Sequence, residues 1–240
     1  MRERSIKAVP VPVLVIAAMG LAMQLVWSVL QPPLLATADE LPEPMNAGLW
    51  RVASLGDPIT LSRALMLWLQ CFDNGTVTIP YRNLDYARVT RWLDTVLNLD
   101  SKSQYPLLAA TRLYAEVSDE PRQRLMLNFV YQKFLEDPER RWRWLAQGVL
   151  IAKHRLNDLP LALKFAQALA DNTNNNAIPS WARQMHIFIH EDLGEVESAR
   201  ILLGGLLESG TITDINELRF LSERLQSLQQ QHSDAANPTK

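Results

Sequence analysis

Residues 144–169 read WLAQGVLIAKHRLNDLPLALKFAQAL, and residues 181–206 read WARQMHIFIHEDLGEVESARILLGGL, which is the same arrangement 37 residues later. In each stretch an aromatic residue opens a helical pattern, a polar turn follows, and a small alanine begins a second apolar stripe. The shift places Trp181 on Trp144 and Ala199 on Ala162. The two stretches therefore predict successive pairs of antiparallel helices that pack side by side.

The repeated unit resembles the tetratricopeptide repeat, in which an aromatic residue lies early in the first helix and an alanine early in the second. The family's unit has about 34 residues, and the longer spacing here fits the polar run NTNNNAI at residues 172–178. The sequence departs from the family at Leu150 and Ile187, where a small residue is expected. The resemblance is clearest over residues 140–209. It implies an all-α solenoid of antiparallel helix pairs, whose successive first helices form a surface that binds a segment of another protein. A helical bundle without repeats is the alternative.

Helical patterns continue on both sides of the repeat, so we expect a tetratricopeptide-like helical domain over residues 57–231. Asp57 is a helix-capping residue and Pro58 suits the first helical turn, so a helix is expected to begin there. The segment 214–217 has the pattern of a capping box that opens a terminal capping helix, and residues 232–240 are expected to be a disordered tail. The apolar stripes in front of the repeat are Leu61, Leu65, Trp68 and Phe72; Val89, Trp92, Val96 and Leu99; Leu107, Ala110, Tyr114 and Val117; and Leu127, Val130, Tyr131 and Phe134.

The N-terminal segment at residues 8–30 reads AVPVPVLVIAAMGLAMQLVWSVL and contains no Asp, Glu, Lys or Arg. A membrane-spanning helix needs about 20 apolar residues, so this segment predicts a transmembrane signal anchor. Residues 1–7 are basic, and by the positive-inside rule they remain in the cytoplasm. We therefore expect a single-pass protein of the bacterial inner membrane, with residues 31–56 as a linker and short helix and the C-terminal domain in the periplasm.

A cleaved signal peptide is the alternative for the N-terminus. Ala36-Thr37-Ala38 is a pattern that signal peptidase could cut, which would release a chain that begins at Asp39. The length of the apolar segment favours the anchor, since a signal peptide has an apolar region of about 7–15 residues. Cys71 is the only cysteine, so no disulfide can form within the chain, and this fits an exported bacterial protein.

Composition and motifs argue against several classes of function. The chain is 21% charged with a net charge of −2, which gives no basic surface for nucleic acid. No phosphate-binding loop or serine-nucleophile motif is present. His186 and His190 lie four residues apart on one predicted helix, but they lack a third ligand, and the repeat places His186 at the core position of Val149. We expect no metal, no cofactor and no catalytic residue.

The run RRWRW at residues 140–144 is the segment most typical of an interaction surface. Arginine beside tryptophan could hold an acidic partner. The alternative is that the tryptophans enter the core while Glu136, Asp137 and Glu139 pair with solvated arginines.

The sequence thus predicts a non-catalytic, membrane-anchored periplasmic scaffold or adaptor that binds another protein of the cell envelope. One alternative is a periplasmic hydrolase or cell-wall enzyme with a cleaved signal, which would depend on the acids near Glu136 or on Glu191 beside His190. Another is a helical subunit whose transmembrane span docks into a larger membrane complex, with Gln24 as a contact between helices. The candidate partner-binding residues, expected to be exposed on first helices, are Arg141, Arg143, Lys153, Gln184 and His190.

Overall fold

The computed structural model describes residues 10–30, 41–72, 84–172 and 178–236. These residues contain eleven α-helices, one 3-10 turn and no β-strand, so the all-α prediction is confirmed. The α-helices are α1 (Val11–Leu30), α2 (Ala47–Ala53), α3 (Pro58–Phe72), α4 (Tyr86–Leu99), α5 (Tyr105–Arg112), α6 (Glu120–Glu136), α7 (Pro138–His154), α8 (Leu159–Asn172), α9 (Ser180–Asp192), α10 (Val196–Glu208) and α11 (Ile215–Ala236), and the 3-10 turn Tyr114–Glu116 follows α5.

Aspartate side chains set the starts of several helices. The carboxylate of Asp57 accepts a hydrogen bond from the backbone N–H of Thr60 at 3.0 Å, so the predicted helix start is confirmed. Asp85 caps α4 in the same way, through the N–H of Ala87 at 2.9 Å. Such caps satisfy N–H groups in the first turn that have no partner within the helix. Asp119 and Asp158 open α6 and α8 in the same way.

The odd-numbered helices from α3 to α11 lie side by side. Trp142 and Trp181, near the starts of α7 and α9, have ring centroids 5.7 Å apart, while Lys153 near the end of α7 pairs with Asp192 at the end of α9. These two helices therefore run in the same direction. Comparable contacts join α3 to α5 through Gln70 and Tyr105, α5 to α7 through Gln104 and Trp144, and α9 to α11 through Glu191 and Arg224.

The even-numbered helices form a second layer. Lys133 of α6 lies 2.5 Å from Asp94 of α4, and the rings of Tyr131 and Phe165 stack α6 on α8 at 5.4 Å. From α3 onward, each α-helix also packs against the α-helix that follows it, most extensively at α7 with α8 and α8 with α9. The domain is therefore a stack of alternating helices in two layers.

The core runs between these layers. One continuous apolar cluster extends from Leu41 to Ile189, and a smaller cluster joins α9, α10 and α11 around Leu203. The predicted stripes of α4, α7 and α8 are buried, which confirms them. The stripe predicted for α3 is wrong at Trp68, which is 37% exposed although its ring lies 4.8 Å from that of Trp92 on α4, whereas Met66 and Leu69 are buried.

The predicted linker is packed against the domain over part of its length. Leu41 is buried, and the Pro42 carbonyl accepts a hydrogen bond from Trp92 Nε1 at 2.7 Å. Glu43 accepts two hydrogen bonds from the Arg91 guanidinium, at 2.7 and 2.8 Å. Residues 41–46 have no regular secondary structure, as predicted, but they lie fixed along α4, and the expectation of a free linker there is wrong.

The C-terminal helix α11 is capped by Asp214, whose carboxylate accepts from the N–H groups of Asn216 and Glu217 at 2.7 and 3.2 Å. Only this half of the predicted capping box forms, because the Glu217 carboxylate accepts a hydrogen bond from Gln184 of α9 instead. The helix continues to Ala236, so the predicted disordered tail is wrong for residues 232–236. The helix ends one residue before the Asn-Pro pair, where proline disfavours helical backbone.

No described side chain of helix α1 belongs to the apolar core of the domain. From Pro12 to Trp27 every described side chain is exposed. Among the residues that the structure describes, no helix is long and apolar enough to cross a membrane. The predicted cleavage site at Ala38 and the last four residues of the predicted tail lie outside the described residues.

We expect Trp92→Phe to loosen the segment 41–46. The substitution removes the hydrogen bond to the Pro42 carbonyl and reduces the contacts with Trp50 and Trp68, whose ring centroids lie 5.7 and 4.8 Å away. The free energy of unfolding should fall by about 1–3 kcal/mol, and the backbone amides of the segment should exchange with deuterium faster. Urea unfolding and hydrogen exchange measure the two effects.

Trp181→Phe is the matched control, because Trp181 is 53% exposed and lies far along the chain from this segment. Amide exchange in residues 41–46 that is equally fast in the wild type and in Trp92→Phe would contradict the docking of the segment on α4.

Candidate functional site

The outer side of α7, α9 and α11 is the surface that the repeat resemblance marks for partner binding. Helix α9 contacts α8 and α10 in the layer beneath it and lies between α7 and α11. Side chains that remain exposed on these three helices therefore point away from the domain. We call the exposed residues Arg143, Leu150, Trp181 and Phe220 the odd-helix face.

Three of the four residues of the odd-helix face are large and apolar. Trp181 is 53% exposed, Phe220 is 56% exposed and Leu150 is 42% exposed. Phe220 lies against Phe188 of α9, with ring centroids 6.2 Å apart, so an aromatic contact links α9 to α11. Large apolar side chains in water are typical of a surface that a partner covers when they lie together.

Arg143 adds the positive charge of this face. Its guanidinium carbon lies 5.4 Å from the ring centroid of Trp142, which in turn contacts Trp181 edge-on. The cation is exposed, and its contact with the ring is a cation–π interaction. Arg143 is therefore placed to meet an acidic group while the neighbouring tryptophans offer apolar contact.

The expectation that Arg141 is exposed is wrong. Arg141 is 3% exposed, and its Nη1 atom donates to the Lys133 carbonyl at 2.6 Å and to Glu136 Oε2 at 2.9 Å. Its Nη2 atom donates to the Ser101 carbonyl at 3.3 Å. The side chain thus joins the end of α6, the start of α7 and the turn before α5. Arg143 points to the opposite side of α7, because residues two apart on an α-helix differ by about 200° around its axis.

The other three candidates make contacts within the domain. Gln184, also expected to be exposed, is 6% exposed, and its amide donates to Glu217 of α11 at 2.8 Å. Lys153 is partly buried and pairs with Asp192. The Nδ1 atom of His190 lies 2.6 Å from a carboxylate oxygen of Glu195. Of the five predicted residues, only Arg143 belongs to the odd-helix face, and the partner-binding role of all five stays a prediction.

Sequence reasoning missed Trp181, Leu150 and Phe220 as surface residues. The repeat alignment gave Trp181 the same position in its unit as Trp144, which is the aromatic core position. In the structure Trp144 does turn inward, where its Nε1 atom donates to Gln104 at 2.5 Å. Trp181 instead contacts Trp142 of α7 edge-on, and it remains 53% exposed.

The acids proposed for a hydrolase are engaged in ion pairs. Glu136 lies 2.6 Å from Lys133 Nζ and 2.9 Å from Arg141. Burial acts to raise the pKa of the Glu136 carboxyl, but the hydrogen bonds from Lys133 and Arg141 outweigh it and hold the pKa below its usual value. Asp137 pairs with Arg140 at 2.9 Å. These pairs agree with the local pairing that the sequence offered as the alternative for the RRWRW run.

The two histidines are held by separate partners. His186 Nδ1 donates to the Arg183 carbonyl at 2.8 Å, and burial lowers the pKa of its imidazole. His190 is bound to Glu195 instead. In the part of the chain that the structure describes, no group of three or more His, Cys, Asp or Glu side chains could hold a metal ion.

Comparisons with known proteins found no family model that matches the chain, no curated protein that is similar to it and no solved structure that matches it.

We expect the two neighbouring arginines to respond differently to substitution. Arg141→Met removes three hydrogen bonds and leaves the Lys133 and Ser101 carbonyls without that donor, so the free energy of unfolding should fall by about 2–4 kcal/mol. Arg143→Met, the matched control, loses only an exposed cation–π contact and should change it by less than about 1 kcal/mol. Urea unfolding of both variants measures the difference, and equal losses would contradict the structural role of Arg141.

Proposed function

We propose that this chain is a non-catalytic scaffold, similar in architecture to tetratricopeptide-repeat proteins, that binds another protein through the odd-helix face. The observation that carries the proposal is the exposure of Trp181, Leu150 and Phe220 on three parallel helices, together with the exposed Arg143 beside Trp142. The spacing of the lateral contacts also supports it. Gln104 and Trp144 are 40 residues apart, and Glu191 and Arg224 are 33 apart, which brackets the 37-residue shift in the sequence.

The chemistry of the face defines the class of partner segment. Tryptophan and arginine contribute much of the binding energy where they become buried in an interface, and their rigid or planar groups lose little entropy. A matching segment has two or more large apolar side chains with an acidic residue that meets Arg143. An extended or helical segment fits, because the face crosses three parallel helices.

The membrane placement is a separate proposal that rests on the sequence. We propose that residues 8–30 anchor the chain in a bacterial inner membrane and that the helical domain lies in the periplasm. The absence of charged residues from this segment supports the anchor, and the basic residues before it support the orientation. Anchoring would raise the local concentration of a partner at the same membrane.

The partner proposal is tested by photo-crosslinking in the cells that make the protein. A photoreactive amino acid is placed at Arg143 or Trp181 on the odd-helix face, or at the exposed positions Lys164 and Gln167 of α8 as matched controls in the other layer. We expect a discrete crosslinked protein from the first pair and none from the second. Crosslinks from α8 alone, or from all four positions alike, would contradict the odd-helix face.

The anchor proposal is tested by fractionation and by the mass of the mature chain. We expect the protein to remain in membranes after an alkaline wash and to retain residues 1–38. A washed, soluble chain whose first residue is Asp39 would show that the segment is a cleaved signal instead. This result would leave the odd-helix face untouched, so the two proposals fail separately.

A further inference from the structure

A pocket of about 350 Å³ lies at one end of the stack, where the start of α9 meets the end of α10. Ile187 of α9, Leu202 and Leu206 of α10 and Ile212 after α10 form its apolar walls. None of these belongs to the odd-helix face. The pocket is therefore a second feature of the domain that the scaffold proposal does not use.

A single cation lines this pocket. The guanidinium of Arg183 forms no hydrogen bond or ion pair with any described residue, and its Nε atom is buried without a hydrogen-bond partner. Arginine keeps its charge at every pH that proteins tolerate. A buried N–H of a charged group that lacks a partner is unfavourable, and most such groups in proteins are satisfied by a partner or ligand.

The acidic residues near the pocket either accept hydrogen bonds from other residues or do not line the pocket. Glu217 accepts its hydrogen bond from Gln184, and Asp171 is exposed at the end of α8, where it makes no ion pair with Arg183. No acidic side chain of the described residues lines the pocket. His186, which does line it, is partly buried, and that burial favours its neutral form. The pocket thus offers one positive charge and apolar walls, beside the uncharged polar side chains Ser180, Gln184, Ser209 and Thr211 that also line it.

The size and the donor geometry define the ligand. Sites for small molecules have volumes of about 300–1,000 Å³, and this pocket lies near the lower limit. With about 30 Å³ for each water-sized group, it has room for roughly ten heavy atoms. The planar guanidinium fork matches a carboxylate, which accepts two parallel hydrogen bonds from it.

We propose that this pocket binds a small monocarboxylate with an apolar chain, whose carboxylate meets Arg183 and whose chain lies against Ile187, Leu202 and Leu206. The walls offer no further charge to a second acidic or basic group, which excludes dicarboxylates and zwitterions from the preferred class. A straight chain and a branched chain share this chemistry, and direct comparison of the two separates them.

The test is ligand-observed NMR with the full-length protein and four probes, namely octanoate, 4-methylpentanoate, 1-octanol and acetate. We expect saturable binding of octanoate or 4-methylpentanoate, with binding at least about tenfold weaker for 1-octanol, which lacks the charge, and for acetate, which lacks the chain. The tighter of the two carboxylates identifies the chain shape. Weak nonspecific binding of the probes to α1 or to lipid is the same for the wild type and all variants. It therefore cancels when their binding is compared.

Three variants assign the binding to this pocket. Arg183→Gln should weaken binding of the carboxylate at least about tenfold while leaving that of 1-octanol unchanged. Leu206→Phe, which fills the pocket and keeps Arg183, should weaken both. Arg200→Gln is the matched control, since Arg200 lies on α10 outside the pocket and pairs with Glu197. Circular dichroism and thermal unfolding show that each variant is folded.

Three results would overturn the proposal. The first is no saturable binding of either carboxylate to the folded wild type. The second is equal binding of octanoate and 1-octanol, because the pocket would then be an apolar cavity without use of Arg183. The third is the same loss in Arg200→Gln as in Arg183→Gln. None of these results bears on the crosslinks expected from the odd-helix face.

Discussion

The stack depends on one constraint, which is that no helix of this domain can bury its apolar side with a single neighbour. Phe165 of α8 is buried only because Tyr131 of α6 stacks on one side and α7 and α9 pack on others. The same holds for Val149 of α7, which has no exposed surface. Burial of apolar surface, worth about 25 cal/mol per Å², is the main favourable contribution to such folds. In this domain the buried surface lies between successive helices. The order of the helices along the chain is therefore also their order in space.

Sequence reasoning succeeded where this constraint acts uniformly. The stripes of α4, α7 and α8 follow the helical period and are buried on that side, so periodicity alone located them. It failed where a helix has an irregular neighbour. On α3, the tryptophan at position 68 is partly exposed while Met66 is buried, because the side that α4 covers is set by packing and not by the spacing of the largest residues. The docked segment at residues 41–46 was missed for a related reason, since its contacts are mainly backbone carbonyls and one glutamate.

The candidate site was harder to predict than the fold. Arg141 and Arg143 have the same chemistry and lie two residues apart, yet one is buried against three carbonyl and carboxylate oxygens and the other is exposed beside a tryptophan. The sequence identified the arginine- and tryptophan-rich run. It does not show that the turn before α5 supplies the Ser101 carbonyl to Arg141, which helps to decide which arginine is buried. Trp181 shows the converse. Its position in the repeat favoured burial, yet it is 53% exposed and only the edge contact with Trp142 partly covers it.

The docking of residues 41–46 on α4 has a consequence for the geometry of the whole chain. Between the end of α1 and Leu41 there are only ten residues, 31–40, whereas a linker free up to the start of α2 would have sixteen. At about 3.5 Å per extended residue, the longest possible span falls from about 56 Å to about 35 Å. The volume that the domain can explore around the end of α1 shrinks about fourfold, since it scales with the cube of this radius. Wherever α1 is held, the contacts of Glu43 and Trp92 thus shorten the connecting chain and keep the helical stack close to α1.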